Sequence, residues 1–390
     1  MPQQLAYVII TPYSLHKSRT GGILTRLITR TGCELVAARM FAPSAELVKK
    51  YSEETISAND PQDRRIQELI YDYILRNLSP DPKTGRRRRV MMLLFQGEDA
   101  VRKTRSVVGN IGPDRRGGES IRDTYGDLII DENDQLRYFE PAVLASPTPD
   151  EAESKLKLWA HYSDTDGGVL QDVIAYQPGE KAQRTLVLIK PENFRFPTGR
   201  PGNMIDFFSR TGLFIVGVKV HRMSVAQALE FYGPVRETLR TKLKDVVAAK
   251  AKAAIEKEMG FKVGPDQEHQ LGTILGPSFG DNQFENIVRF MSGRAPSECP
   301  LTEQNTPGSE KCIALVYEGV GAVGKIRDVL GPTDPSKAPP GSIRREFGQT
   351  IMVNAAHASD SEDNARREMG IVDVGENNFR QCIERFYGKV

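Results

Sequence analysis

Short apolar runs recur in the same order in two parts of this chain. Residues 6–10 and 185–189 are apolar runs, and a proline follows each one two positions later, at Pro12 and Pro191. Both parts continue with a Gly-containing loop, an amphipathic stretch and an Arg-Thr-Gly triplet, at residues 30–32 and 210–212. A glycine after an amphipathic stretch is typical of a helix end, and the β-rich runs at 34–37 and 214–218 predict a second strand. Each part therefore predicts strand, helix, strand.

The similarity resumes further along both parts. Residues 90–97 and 312–319 are apolar runs with the length of buried strands, and each is followed by a helical stretch and a Ser-Ile-Arg triplet. Both parts end in an acidic helical stretch, at 150–158 and 361–369. We interpret the chain as two copies of one domain, at 1–161 and 183–390, joined by a Gly-, Asp- and Ser-rich linker at 162–182. Two strand-helix-strand units per copy predict a ferredoxin-like, split βαβ domain of the α+β class, in which helices pack on an antiparallel sheet.

The two copies differ in their insertions. The second copy has one at about 235–281, predicted as an Ala- and Lys-rich helix over 235–259 followed by a Gly/Pro loop to about Asp281, and a second at 296–310, predicted as a mobile loop. The first copy has a predicted helix at 66–75 and then four arginines at 86–89. For the arginines we favour a solvated loop and leave an anion or polynucleotide contact open. Residues 319–324 spell a dinucleotide-binding fingerprint, but no acidic residue closes a βαβ unit about twenty positions on. That motif is assigned to a strand-to-helix turn.

Composition excludes few classes of protein. A chain of 390 residues is long enough for two domains, and a net charge of +2 does not indicate a nucleic-acid partner. No apolar run reaches the length of a membrane span, and residues 1–4 lack the features of a signal peptide. The four cysteines have no metal-site spacing, so we expect reduced, buried thiols in a cytoplasmic protein: Cys33, Cys299, Cys312 and Cys382.

The strongest chemical motif is the octet at 354–361, Asn-Ala-Ala-His-Ala-Ser-Asp-Ser. It resembles the active-site segment of nucleoside diphosphate kinases, in which a histidine has an asparagine three positions before it and a serine and an aspartate after it. The resemblance covers nearly all of the second copy apart from its insertions and, more loosely, the first copy. It implies that His357 carries the γ-phosphate of ATP to nucleoside diphosphates in a ping-pong reaction. It further implies Mg²⁺ as cofactor and a homo-oligomer.

The resemblance also implies roles for other residues of the second copy. Those implied for catalysis are His357, Lys190, Tyr232, Asn354, Ser359 and Glu368. Those implied for nucleotide binding are Lys190, Phe284 with Ile287 or Val288, Arg327, Thr333, Arg344 and Asn354. Asp360 is implied to act indirectly, through nucleotide-bound magnesium.

These residue types suit phosphoryl transfer on chemical grounds as well. A histidine is largely neutral near pH 7, so a ring nitrogen can attack phosphorus. Phosphoryl transfer depends mainly on positioning and on neutralised charge, which lysine and arginine supply. Mg²⁺ needs few protein ligands when it bridges phosphates, and a base that is held by stacking gives little base selectivity. The remaining histidines are expected to be structural or exposed: His16, His161, His221 and His269.

The first copy lacks most of this set. Leu144 stands where the histidine is expected, and Pro141, Thr11 and Ile111 replace the asparagine, lysine and threonine. Arg105 and Arg122 are retained. Leucine cannot accept a phosphoryl group, so we predict a packing and assembly role for this copy in preference to a regulatory nucleotide site. Two alternatives to a nucleoside diphosphate kinase stay open: a non-catalytic nucleotide-binding or scaffold protein, and a kinase of protein substrates.

Overall fold

The computed structural model describes residues 3–58, 63–111, 118–133 and 135–390. The chain divides into two compact units, one formed by Met1–Val220 with Ile313–Val390 and the other by His221–Cys312. The first unit holds both predicted sheets, and the second is helical. Antiparallel strands with helices packed on them confirm the predicted α+β class. No helix in the described part of the chain is both long enough and apolar enough to cross a membrane.

The first half of the repeat forms a four-stranded sheet with the order β2-β3-β1-β6, which is the order of a split βαβ domain. Strands β4 and β5 form a separate antiparallel hairpin that the sequence did not predict. The elements are β1 (Gln3–Ile10), α1 (Pro12–His16), α2 (Thr20–Thr31), β2 (Glu34–Phe41), α3 (Ala45–Glu53), α4 (Arg64–Asn77), β3 (Val90–Glu98), α5 (Ala100–Val108), α6 (Ile121–Tyr125), β4 (Asp127–Ile130), β5 (Leu136–Glu140), β6 (Val143–Leu144) and α7 (Pro149–His161).

The second half repeats this topology, with the order β10-β7-β9-β8. The predicted helix end is confirmed in both halves, since Gly32 and Gly212 have φ of 64° and 69°. The elements are β7 (Ala182–Ile189), α8 (Arg200–Ser209), β8 (Phe214–His221), α9 (Val225–Tyr232), α10 (Arg236–Lys242), α11 (Lys244–Met259), α12 (Pro265–Ser292), β9 (Cys312–Val320), α13 (Ala322–Leu330), α14 (Ile343–Phe347), β10 (Ala356–Ala358), α15 (Glu362–Val372) and α16 (Asn378–Tyr387). The turn between β9 and α13 contains the Gly-rich motif, as predicted.

The prediction of a Gly/Pro loop up to Asp281 is wrong. This stretch belongs to α12, a helix of 28 residues that continues through Pro277. Its glycines face α10 and α11: a Cβ at Gly280 would lie 2.5 Å from the Arg240 Cα, and one at Gly276 would lie 3.3 Å from the Arg240 carbonyl oxygen. The glycines therefore permit close helix packing, whereas sequence reasoning treated them as helix breakers. The Pro/Thr/Ser-rich stretch after α12 contains two short 3-10 turns, Pro296–Glu298 and Leu301–Glu303.

The two halves of the repeat contact each other through their equivalent helices α2 and α8. A Cβ at Gly21 would lie 2.2 Å from the Gly202 carbonyl oxygen, and a Cβ at Gly202 would lie 2.2 Å from the Gly21 carbonyl oxygen. Asp206 of α8 accepts hydrogen bonds from the backbone N–H groups of Gly21 and Gly22, and burial raises its pKa to about 6. Any side chain at either glycine of this contact would force the helices apart.

The linker and the last helix connect the halves further. Gly168 of the linker donates its N–H to the Met40 carbonyl of β2, and Leu170 donates to the Val216 carbonyl of β8, each at 2.9 Å. Phe379 of α16 packs in the same core as Phe41 and Trp159 of the first half, with 5.3 Å between the ring centroids of Phe379 and Phe41. The segment predicted as a linker is therefore bonded to both sheets, and the end of the second copy completes the core of the first.

Candidate functional site

His357 lies in the middle of β10 and pairs with Leu188 of β7. Its Nε2 atom is 2.8 Å from Oε2 of the buried Glu368 on α15, and the same oxygen accepts a hydrogen bond of 2.5 Å from Ser359 Oγ. An ionised carboxylate only accepts hydrogen bonds, so Nε2 of the neutral ring carries the proton and Nδ1 carries the lone pair. The His357 side chain is 23% exposed. The contact orients a partly accessible imidazole with Nδ1 as its basic nitrogen.

The backbone of Ala355, two residues before His357, is hydrogen-bonded through both its N–H and its carbonyl. Ala355 has a φ of 73°, which is uncommon for a residue other than glycine. Its N–H donates to Glu192 Oε1 at 2.9 Å, and its carbonyl accepts from the Lys190 backbone N–H at 3.0 Å and from Asn193 Nδ2 at 2.8 Å. These bonds offset the unfavourable backbone conformation and fix the entry into β10.

Lys190 ends the first strand of the second half and is buried beside the loop that precedes β10. Its Nζ donates to Asn354 Oδ1 at 2.7 Å and to the Met352 carbonyl at 3.0 Å. Burial lowers the pKa of Lys190 to about 8, with the charge of Glu192 opposing this effect. Asn354 in turn donates from Nδ2 to the Thr333 carbonyl at 3.2 Å. Three of the predicted residues, Lys190, Asn354 and Thr333, thus form one hydrogen-bonded chain.

Two arginines and an aspartate complete the part of the predicted site that lies in this unit. Arg344 donates from Nη1 to the Gly331 carbonyl at 3.0 Å and from Nη2 to the Ala356 carbonyl, next to His357, at 3.1 Å. Arg327 is exposed in the last turn of α13. A hydrogen bond from Asn364 and the positive charge of Arg327 hold the pKa of Asp360 below its usual range. Two guanidinium groups, of Arg327 and Arg344, therefore lie on the elements next to the segment that bears His357 and Asp360.

The other predicted residues lie in the helical unit. Tyr232 is the last residue of α9 and is buried, while Phe284 and Ile287 belong to α12. The Phe284 side chain is only 4% exposed, and the Arg236 guanidinium lies 5.6 Å from its ring centroid. A base can stack only on an accessible ring face, and the buried Phe284 ring offers little accessible surface. The base-binding roles of Phe284 and Ile287 therefore stay predictions.

Sequence reasoning missed three residues that support this site. Glu192 and Asn193 hold Ala355, and Arg200 of α8 donates from Nε to Asn193 Oδ1 at 3.1 Å. Burial raises the pKa of Glu192. Glu192 and Asn193 directly follow the Lys190-Pro191 pair that was recognised, so their place in the chain was a usable signal.

The first half keeps the backbone of the site but not its chemistry. Leu144 of β6 pairs with Ile9 of β1, the register that His357 has in the second half. Ala142 has a φ of 60°, as Ala355 has 73°. Arg122 donates from Nη1 to the Gly109 carbonyl at 2.9 Å and from Nη2 to the Val143 carbonyl at 3.2 Å, repeating the bonds of Arg344.

A carboxylate occupies the polar part of the first-half site. Glu140, at the end of β5, accepts hydrogen bonds from Thr11 Oγ1 at 3.1 Å, from the Ala142 N–H at 3.0 Å and from the Tyr73 hydroxyl at 2.8 Å. The cavity that remains beside Glu140 and Arg122 has a volume of about 20 Å³. This volume suits a water molecule and not a nucleotide. The β4–β5 hairpin, which supplies Glu140, therefore closes this site.

Within the residues that the structure describes, neither half has a cluster of protein metal ligands. No group of three His, Cys, Asp or Glu side chains in the described parts of the chain could hold a metal ion. All four cysteines are buried and none is in a disulfide. A metal at the His357 site would need ligand atoms from a bound substrate.

Comparisons with known proteins point to one family. The family model described as nucleoside diphosphate kinase matches residues 4–164 and 300–374. A nucleoside diphosphate kinase of Campylobacter hominis is 30% identical over 193 residues, which covers 50% of this chain and 96% of the relative. One of Helicobacter pylori is 29% identical over 187 residues, covering 48% and 92%. A solved nucleoside diphosphate kinase of Aquifex aeolicus is 25% identical, with a TM-score of 0.30, covering 49% and 95%.

Proposed function

Because the chain belongs to the nucleoside diphosphate kinase family, we propose that it transfers the γ-phosphate of ATP to nucleoside diphosphates through a phosphohistidine at His357. The observation that carries the proposal is the contact of His357 Nε2 with Glu368 Oε2 at 2.8 Å, which favours the tautomer with its lone pair on Nδ1. A histidine that is held by a buried carboxylate and partly open to solvent is suited to act as a nucleophile. Ser359 donates to the same carboxylate oxygen and fixes it in place.

The proposed reaction has two half-reactions. Nδ1 of His357 attacks the γ-phosphorus of ATP, an N–P bond forms, the bond from phosphorus to the bridging oxygen breaks, and ADP leaves with that electron pair. A terminal phosphate oxygen of a nucleoside diphosphate then attacks the same phosphorus, and the N–P electron pair returns to Nδ1. Nε2 keeps its proton throughout, and the Glu368 carboxylate stabilises the positive ring in the phosphorylated state. Successive use of one nucleophile predicts ping-pong kinetics.

The cationic side chains of this unit are suited to bind the transferred phosphate. Phosphoryl transfer relies on positioned charge because the transferring group spreads negative charge over its oxygens. Arg344 is fixed by two backbone carbonyls, and Arg327 is exposed, so its guanidinium is accessible to a ligand. Lys190, with a pKa of about 8, is mainly protonated at pH 7.

The donor set fits magnesium that arrives with the nucleotide. Asp360 lies three positions after His357 and is exposed. Because its pKa is lowered, its carboxylate is ionised and could bind a metal ion. A single protein carboxylate is enough for Mg²⁺, because Mg²⁺ keeps several water ligands and takes the others from the phosphates. When bound, Mg²⁺ would neutralise charge on the nucleotide phosphates. Asp360 would hold it directly or through a water molecule.

Labelling with γ-³²P-ATP tests the proposal. We expect acid-labile, alkali-stable label at one group per chain, which a nucleoside diphosphate removes as labelled triphosphate. His357→Ala should abolish the label, and His161→Ala, a matched change at an exposed histidine of the first half, should retain it. Label that persists in His357→Ala would contradict the assignment. Nucleotide binding without label or exchange would instead support the non-catalytic alternative.

A further inference from the structure

The first unit has two neighbouring cavities that are not lined by His357. The apolar cavity has a volume of about 250 Å³, and its walls include Leu15, Ile205, Leu213, Phe214 and Tyr317. The arginine cavity has a volume of about 330 Å³ and is lined by residues 86–89 with Asp81 and Val173. Arg89 lines both cavities. The two cavities therefore share one lining arginine, and residues of both halves of the repeat line the apolar cavity.

Polar side chains line the apolar cavity together with its apolar walls. His16, Ser18, Thr20 and Ser209 are among the lining residues. Hydroxyl and imidazole groups donate and accept hydrogen bonds, so they can bond the nitrogen and oxygen atoms of a heterocycle.

Arg89 forms no salt bridge within the described residues, although the negative charge of Glu318 acts on it. It donates from Nη1 to the Ile215 carbonyl at 2.5 Å, and its guanidinium lies 5.1 Å from the Phe214 ring centroid. Burial lowers its pKa to about 10, so it is still charged at pH 7. A guanidinium has five N–H donors, so one that bonds a carbonyl and lies against a ring can also bind an anion.

The arginine cavity carries an excess of positive charge. Among the four arginines, Arg87 has the only ion pair within the described residues, to Asp166 at 3.0 Å. Asp81 contributes one negative charge at the edge, and its Oδ1 accepts from the N–H of Thr84 at 2.9 Å and from the Thr84 hydroxyl at 3.0 Å. Arg86 and Arg88 are therefore available for phosphate oxygens, which arginine forks bind well.

We propose that a nucleoside phosphate binds at this junction, with its base in the apolar cavity and its phosphates at residues 86–89. The apolar walls suit a heterocycle, the polar side chains among them suit its nitrogen and oxygen atoms, and the arginines suit the phosphates. The two volumes together fall in the range of roughly 300–1,000 Å³ that small-molecule sites occupy. A polynucleotide would contact the arginines without requiring the apolar cavity.

This second site is independent of phosphoryl transfer. None of its lining residues is among those assigned to the chemistry at His357. Leu15 belongs to the first half of the repeat, while Leu213 and Tyr317 belong to the second. A ligand that touches both halves stabilises their association and so raises the melting temperature.

The number of ADP molecules bound per full-length chain tests the proposal. Equilibrium dialysis with radiolabelled ADP should give two per wild-type chain. Arg86→Ala/Arg88→Ala should weaken one of the two sites at least tenfold, because two phosphate-binding groups are lost. Arg64→Ala/Arg65→Ala removes the same charge from the exposed start of α4 and should leave both sites intact.

Two outcomes would overturn the second site. The first is an ADP count that Arg86→Ala/Arg88→Ala leaves unchanged, whether the wild type binds one ADP or two. The second is a single-stranded oligonucleotide whose binding is lost in Arg86→Ala/Arg88→Ala while the ADP count stays unchanged, which would assign the arginines to a polynucleotide. The count of two rests on nucleotide binding at the proposed His357 site; if that site binds none, the wild type should bind one ADP and Arg86→Ala/Arg88→Ala should weaken it.

Discussion

Replacing Glu368 by glutamine tests whether the carboxylate orients His357 as a positioning residue. The change keeps the shape of the side chain and removes its charge. In the wild type, Oε2 lies 2.8 Å from His357 Nε2 and accepts from Ser359 Oγ at 2.5 Å. Glutamine has one acceptor oxygen, and its amide nitrogen cannot accept from Nε2–H, so the fixed choice of tautomer is lost.

The size of the effect follows from the loss of a charge-assisted hydrogen bond. Bonds to charged groups contribute about 1.5–3 kcal/mol and neutral ones about 0.5–1.5 kcal/mol. Glu368→Gln should therefore cost about 1–2 kcal/mol in the step that forms the positively charged phosphohistidine, which is roughly a 5- to 30-fold slower rate. The folded state should lose little stability, since the amide fills the same space.

Rapid-quench labelling with γ-³²P-ATP in a single turnover measures this rate. Glu362→Gln is the matched control, because Glu362 lies on the same helix and accepts from Gln183 Nε2 at 2.8 Å on the surface. A phosphorylation rate for Glu368→Gln within twofold of the wild type, at an unchanged melting temperature, would refute the orienting role. A large fall in melting temperature would show that the carboxylate is mainly structural.

Three further predictions concern the first half, the buried lysine and the helix contact. Leu144→His should add no second label in the γ-³²P-ATP assay, because Glu140 fills the polar part of that site; two labelled groups per chain would contradict this. Folding lowers the pKa of Lys190 to about 8, so the charged form that binds phosphate predominates below pH 8. Above that pH, kcat/KM should fall about tenfold per pH unit. A kcat/KM that is constant up to pH 10 would exclude a role for the charged lysine. The same shift means that the unfolded chain binds more protons between the two pKa values, so Lys190 makes stability rise with pH from about 8 to about 10.5. Gly202→Ala should lower the free energy of unfolding by roughly 1–3 kcal/mol, because the new methyl group overpacks the contact between α2 and α8. Gly324→Ala is the control, since it lies in a helix and its new Cβ would have no atom within 4 Å. Its free energy of unfolding, measured by the same calorimetry, should be unchanged or higher.

Much of the fold was readable from the sequence because the chain repeats itself. Apolar runs of strand length and Arg-Thr-Gly triplets occur in the same order twice, and the structure has matching sheets with the orders β2-β3-β1-β6 and β10-β7-β9-β8. Local signals sufficed here, since burial of a strand and the left-handed glycine after a helix both depend on nearby residues. The same signals failed at α12, where glycine and proline suggested a loop.

The candidate site was predictable only in part. His357, Ser359 and Glu368 could be named because they lie within one short segment, and the structure shows how they contact one another. The position of Glu192 and Asn193 after Lys190 could mark them as candidates, but their hydrogen bonds to Ala355 join positions that are far apart in the chain, so only the structure identifies that partner.

The sequence by itself determined two things: that the chain is a tandem repeat, and that only the second copy keeps a histidine in the nucleoside diphosphate kinase motif. Both are properties of residue order. Only the tertiary structure decided that Glu140 closes the first-half site, that Gly21 and Gly202 let α2 and α8 touch, and that Arg89 and Leu15 line one cavity with Leu213. Those features depend on distances between residues that are remote in the sequence. Tertiary packing sets these distances, and they cannot be read from the local order of residues.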